Sequence, residues 1–119
     1  MREKIMKRYI ALIPLCLMAM AASAENIISS PDQGLLCDKQ MGFCADSEGI
    51  SLAYTKQYLG DKAEKKLMDK IHAAGGVDKF DTTIFTFYNK AYCDTKAKKC
   101  TVSKDDNKPD HVGNTLFQK

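Results

Sequence analysis

Apolar positions along this chain occur in short clusters divided by turn formers, and their spacing changes from continuous to helical to alternating. The first cluster, Tyr9 to Ala22, carries no charge and follows the basic stretch Met1–Arg8. It ends at Ala22-Ser23-Ala24, the small-x-small form of a cleavage site. Together these features predict a secretory signal peptide over residues 1–24, too short and wrongly flanked for a membrane span. Leu15 stands before Cys16 where lipidation wants a small residue, so Cys16 is expected to leave with the signal. Residues 25–119 are then one small domain.

The pattern beyond the signal predicts alternating elements. Ile27-Ile28 favours a short leader strand within Glu25 to Ser30. After the turn Pro31 to Gly34, Leu35-Leu36-Cys37 and Phe43-Cys44-Ala45 are expected to pair as a hairpin over the loop Asp38 to Gly42. A helix follows the Asp46–Gly49 lead, capped by Ser47 or Ser51. Ile50, Tyr54 and Tyr58 lie on one side of it, and Leu52 and Leu59 on the other. Gly60 breaks the run, and Asp61 is expected to cap a second helix with Glu64 in the reciprocal position. The stripe Ala63, Leu67, Ile71 and Ala74 gives that helix a core face, and Gly75-Gly76 ends it.

Thr82 to Tyr88 is β-branched and aromatic, the strongest strand signal in the chain. Phe85 and Phe87 face one way and Ile84, Thr86 and Tyr88 the other. Asn89-Lys90 predicts a tight turn, Ala91-Tyr92-Cys93 a return strand, and Cys100 to Ser103 a third. The tail from Lys104 is polar around Pro109, with Leu116-Phe117 expected to dock on the core. The fold class is α+β: a disulfide-closed β-hairpin, two short helices, then an antiparallel β-meander with a second disulfide-closed hairpin.

A motif of two apolar residues, Cys-Asp and a second Cys recurs, first at Cys37 and Cys44, then at Cys93 and Cys100. An even cysteine count behind an export signal reads as two disulfides in an oxidising compartment. Three pairings are open. Cys37–Cys44 and Cys93–Cys100 are preferred, because repeated units tend to be self-contained. Loop entropy does not decide: a local bridge is worth roughly 2.5 kcal/mol and a long one roughly 4 kcal/mol.

Charge changes the picture once the signal is set aside. The whole chain has 18 Lys+Arg and 15 Asp+Glu. Residues 1–24 hold Arg2, Lys4, Lys7 and Arg8 against Glu3, so the remainder is neutral and has no arginine. Nucleic-acid binding is thereby disfavoured, since it leans on Arg and a basic surface.

Candidate chemistry is sparse. His72 falls on the solvent side of the second helix, opposite Ala63, and His111 lies in the tail; neither has a nucleophile motif beside it. The Cys spacing is wrong for a redox pair or a zinc site. Asp105, Asp106, Asn107 and Asp110 lack the alternating acids of a calcium loop. No catalytic residue, metal or other cofactor is called for. Lys62, Lys65, Lys66 and Lys70, with Lys56 nearby, give the second helix a basic face suited to an anionic partner, or simply to solvent. Phe85, Phe87, Tyr88 and Tyr92 are the candidate binding residues. The aromatic strand has apolar groups on both faces, one of them left for the first hairpin or for a partner.

Leu36-Cys37-Asp38, Gly42 to Asp46, Gly49-Ile50-Ser51 and Thr55 to Gly60 resemble the Fels-1 prophage protein-like family of small exported enterobacterial proteins, the YcgJ-like proteins. Phe85 to Asn89, Cys93-Asp94 and Cys100 are similar too. The resemblance implies a Gram-negative periplasmic setting and brings no catalytic residue to map. The expected function is a non-catalytic periplasmic binding or interaction protein, of the inhibitor or envelope stress-protection type. Its partner would be another envelope protein, with no nucleic acid and no stable membrane insertion after cleavage. The alternatives are a small hydrolase using His72 or His111, and a ligand or metal carrier built on the Asp-Cys loops.

Overall fold

The computed structural model describes residues 27–118. The expected signal peptide, its cleavage site and Cys16 lie outside the described residues. Among the described residues no helix is long and apolar enough to cross a membrane.

Strands β1 (Ile28–Asp32), β2 (Leu35–Asp38), β3 (Phe43–Asp46) and β4 (Gly49–Ser51) form one antiparallel sheet in sequential order. Helices α1 (Leu52–Leu59) and α2 (Asp61–Ala73) follow, and then a second sequential sheet forms. It comprises β5 (Ile84–Thr86), β6 (Tyr92–Asp94), β7 (Lys99–Ser103) and β8 (Asp106–Pro109). A short helix α3 (His111–Asn114) and a single 3-10 turn (Thr115–Phe117) close the chain. The α+β class and both hairpins stand as expected.

The repetition extends beyond the cysteine motif to the first three strands of each sheet. Ile28 pairs with Asp38 and Ile84 with Asp94, while Cys37 pairs with Cys44 and Cys93 with Cys100. One displacement of 56 positions (84 against 28, 93 against 37) relates these pairs. Lys39 N–H donates to the Ile27 carbonyl at 2.9 Å, and Thr95 N–H to the Thr83 carbonyl at 2.9 Å, at the same displacement. Each meander then ends in a capped helix. Ser51 Oγ accepts from Tyr54 N–H at 3.1 Å, and Asp110 Oδ2 accepts from Gly113 N–H at 2.7 Å.

The two disulfides are the local ones, with Cα atoms 4.0 and 4.1 Å apart across directly opposed positions. Such close spacing marks the narrow, non-hydrogen-bonded pair of an antiparallel ladder, so the Cys44 and Cys100 N–H groups point to the far side of their strand. In the first copy Thr55 Oγ1 takes the Cys44 N–H at 2.9 Å. In the second, Asn114 Oδ1 takes the Cys100 N–H at 2.7 Å. Thr55 and Asn114 each lie four residues after their helix cap. The same hydrogen-bonding problem is solved at the same place with different side chains.

The main core lies between the two sheets. It joins Leu36, Phe43 and Ala45 of the first copy to Leu67 and Ile71 of α2 and to Phe85, Phe87, Ala91, Cys93, Cys100 and Leu116 of the second. Phe43 stacks on Phe87 and meets Phe85 edge to face, both at 5.6 Å between ring centroids. A smaller cluster, Leu35, Cys37 and Cys44, takes the other face of the first sheet under Leu59.

Several expectations need correction. Gly60, not Asp61, occupies the cap position of α2 and offers no side-chain bond; Asp61 is already the first helical residue. Ile50, expected on the helix after the Asp46–Gly49 lead, belongs instead to strand β4 (Gly49–Ser51), whose register with Asp46, Ala45 and Cys44 continues the ladder. The strand β5 stops at Thr86, since the Phe87 carbonyl already accepts the Lys90 N–H of the turn at 2.9 Å. Ala74 is exposed, beyond the buried part of the α2 stripe. The polar tail is ordered as β8 and α3, with Leu116 fully buried as expected.

Candidate binding surface at the hairpin tip

An open groove lies at the tip of the β2–β3 hairpin, and Asp38 builds that tip. Its Oδ1 accepts the N–H groups of Gln40 at 2.9 Å and Met41 at 2.8 Å, bending the chain back on itself. Gly42 then closes the loop at φ 83°, a left-handed conformation that favours glycine. The remaining oxygen, Oδ2, accepts the Tyr88 N–H at 2.8 Å, fifty residues away. Asp38 is fully buried. A buried carboxylate is tolerable only when its oxygens are hydrogen-bonded, and here three backbone donors do so. The same contact fixes the Tyr88–Lys90 turn beside the tip.

On its other side the tip faces α2 across an open groove of about 510 Å³. Lys62, Lys66 and Lys70 recur every four residues, which sets them along one side of the helix, and Lys39 of the tip joins them. Met41, Leu59, Ala63 and Leu67 supply the apolar part of the lining, and among the described residues no acidic one lines it. The expected basic face is thus divided. Lys65 instead pairs with Asp69 at 3.5 Å on the exposed side of the helix, the ion pair found among the described residues. Lys56 lies outside the groove. Lys39 and Met41 were missed by sequence reasoning, because only the folded hairpin brings them to the helix.

Of the four aromatic candidates, Phe85 and Phe87 are 5 % and 2 % exposed. Both pack with Phe43 under the first hairpin, so neither forms the exposed aromatic face expected of a partner surface. Phe85 reaches the surface only at the wall of an apolar cleft. Tyr88 is 38 % exposed beside the tip. Tyr92 is half-buried on the outer face of the second sheet, beside a polar hollow with Asp94, Lys99 and Thr101. Tyr54 and Tyr58, which share one side of α1 as expected, stack at 6.2 Å on the surface.

His72 and His111 are exposed on separate elements, α2 and α3. The acidic residues of the tail hold its backbone: Asp106 accepts from Lys108 N–H at 3.1 Å, and Asp110 caps α3. Asp94 does for the second hairpin what Asp38 does for the first, accepting from Lys96 and Ala97 N–H at 3.0 and 3.2 Å. Asp81 accepts the side chain and backbone of Thr83, which hold its carboxyl below the ordinary value, with Lys96 adding to the effect. Among the described residues no group of three or more His, Cys, Asp or Glu is assembled for a metal.

The family model described as YcgJ protein matches residues 28–117, both copies of the meander and the helices between them. The chain belongs to the YcgJ family. A relative in Escherichia coli strain K12, named Uncharacterized protein YcgJ, is 37 % identical over 73 residues. That match covers 61 % of this chain and 52 % of the relative, so the chain spans about half the length of the protein it matches. No solved structure matches it. The YcgJ family match takes in the Asp38 clamp, the lysine groove and both disulfides, since all lie within residues 28–117.

Proposed function

We propose that this YcgJ-family protein is a non-catalytic binding protein of the periplasm, presenting the end of the molecule around the hairpin tip to an envelope partner. The observation that carries the reading is the use of Asp38. A buried carboxylate, three backbone donors and a disulfide-closed hairpin are spent on fixing the backbones of Met41 and Tyr88 to one side chain. Met41 is 40 % and Tyr88 38 % exposed. Rigid presentation of apolar groups lowers the entropy lost on association. The disulfides support an oxidising compartment, and the basic, then apolar, start of the chain supports export. The histidines stand apart from this surface, and no observation favours the hydrolase reading.

A photocrosslinking residue at position 88, compared with one at position 112, tests the proposal in intact cells. Val112 is 52 % exposed on α3, far from the tip in sequence and on a different element. A discrete adduct at 88 that is absent at 112, in the fraction released by osmotic shock, is expected. No adduct at 88, or the same adducts at both positions, overturns it.

A further inference from the structure

The lysine groove does not end at α2. A second cleft, about 210 Å³ and mostly apolar, opens between the two copies, lined by Phe43, Ile50, Phe80, Ile84 and Phe85. Met41, Leu67 and Lys70 belong to the walls of both. Four ammonium groups therefore stand over one mouth, and an apolar slot begins where they end.

We propose that groove and cleft form one site for an anionic amphiphile, a phosphate ester whose head meets the lysines and whose apolar tail enters the cleft. This rests on the reading of the hairpin tip as the binding end and names a small ligand for it. Charge supports the head group. Four like charges around one groove repel each other, with no acid in the lining to offset them, and an anion relieves that repulsion. Lysine acts as a point charge toward phosphate, without the fixed geometry that an arginine fork would impose. Shape supports the tail. An apolar hollow with a few converging polar groups at its mouth is the usual form of a small-molecule site, and two such spaces meet here at Met41.

The test uses the purified, oxidised protein and dihexanoylphosphatidylglycerol as a monomeric probe, followed by the methyl NMR signal of Met41. Saturable movement of that signal is expected. The phosphatidylcholine of the same chains should bind at least tenfold more weakly, as should inorganic phosphate. Replacing Lys62, Lys66 and Lys70 by Gln should cost tenfold or more, with the amide signals of Cys37 and Cys44 unmoved as proof of folding. Several results overturn the proposal: no saturable shift, equal binding of the zwitterionic lipid, equal binding of bare phosphate, or full affinity in the triple variant. Sedimentation with phosphatidylglycerol vesicles without a Met41 shift overturns it as well, as mere surface adhesion. A negative outcome here together with a specific adduct at position 88 removes the ligand and leaves the interaction surface standing.

Discussion

The two copies of the meander share a register over their first three strands, a disulfide and a capped helix, yet they are stabilised differently. The first sheet is covered on both faces. Leu36, Phe43 and Ala45 enter the main core, while Leu35, Cys37 and Cys44 pack under α1 through Leu59. The second sheet is covered on one face only. Phe85, Cys93 and Cys100 are buried, but Thr86 and Lys99 are exposed and Tyr92, Asp94 and Thr101 half-buried. The reason is the length of the helix that follows. Two helices with twenty-one residues between them cover the first sheet, and a four-residue α3 with one 3-10 turn ends the second. The same hairpin scaffold thus yields a central layer once and an outer layer once.

Asp38 and Asp94 make the sharpest version of this comparison. Both follow the first cysteine of their copy and both bend a hairpin tip. Only Asp38 is fully buried and only Asp38 bonds the other copy, through Tyr88 N–H. Replacing Oδ2 by an amide donor in Asp38→Asn would set N–H against N–H in a buried place. That variant should lose about 2 kcal/mol or more by denaturant titration. Asp94→Asn keeps an acceptor for its own loop near solvent and should lose less than about 1 kcal/mol. Equal losses would mean that the Tyr88 contact contributes nothing and that the shared core and the Ile50–Thr82 bond hold the copies together without it.

The turns provide a second contrast, of smaller size and opposite sign. Gly34 and Gly42 have φ 76° and 83°; the corresponding positions in the second copy, Lys90 and Lys98, have φ 75° and 55°. A side chain in that region costs roughly 1–2 kcal/mol, partly offset by the greater freedom of glycine in the unfolded chain. Lys90→Gly and Lys98→Gly should therefore each stabilise the protein by about 0.5–1 kcal/mol. Loss of stability in either would show that these lysines make compensating contacts through their side chains. Gly49 is different in kind. A Cβ there would strike the Thr82 carbonyl, which accepts the Ile50 N–H at 2.8 Å where β4 meets the start of the second copy.

How much of this was legible in the sequence follows from which signals are local. The hairpins and the α2 stripe of Leu67 and Ile71 rest on neighbours within a few residues, and spacing shows them. It narrows the cap only to Ser47 or Ser51, and the local disulfides are preferred among three pairings only through the repeat. β8 and α3 were hidden because Asp106–Pro109 has no apolar alternation; its pairing is imposed by β7. The groove was half legible. Lys62, Lys66 and Lys70 announce themselves by their spacing, whereas Lys39, Met41 and Phe80 reach the same place only through tertiary packing. Phe85 and Phe87 were read as candidates for binding because an aromatic strand looks alike whether a partner or its own first hairpin covers it. The full duplication had a trace in the sequence, the Cys-Asp repeat, but Thr55 and Asn114 perform one task with unlike residues, and no comparison of letters reveals that.

The smallest expected effect lies at the entry to the second copy, where side-chain bonds are added to a backbone bond that both copies share. Thr83 is the hub: its carbonyl accepts both the N–H and the hydroxyl of Thr95 at 2.9 Å, and its own hydroxyl and N–H donate to Asp81. These donors favour the charged carboxylate, so the folded Asp81 titrates below its ordinary value of 3.8. For a depressed carboxylate the stabilisation is complete above the unfolded value and is lost as pH falls through the folded one. Any contribution from Asp81 should therefore persist at neutral pH and fade only below about pH 4. Carboxyl NMR should place its midpoint below 3.8, and Thr83→Val should move it upward toward that value. The readout stays at the β5 edge, because Asp81 is exposed and makes no contact with the main core. A midpoint unmoved in Thr83→Val would assign the depression to what that variant keeps, the Thr83 N–H and the Lys96 charge, rather than to the hydroxyl.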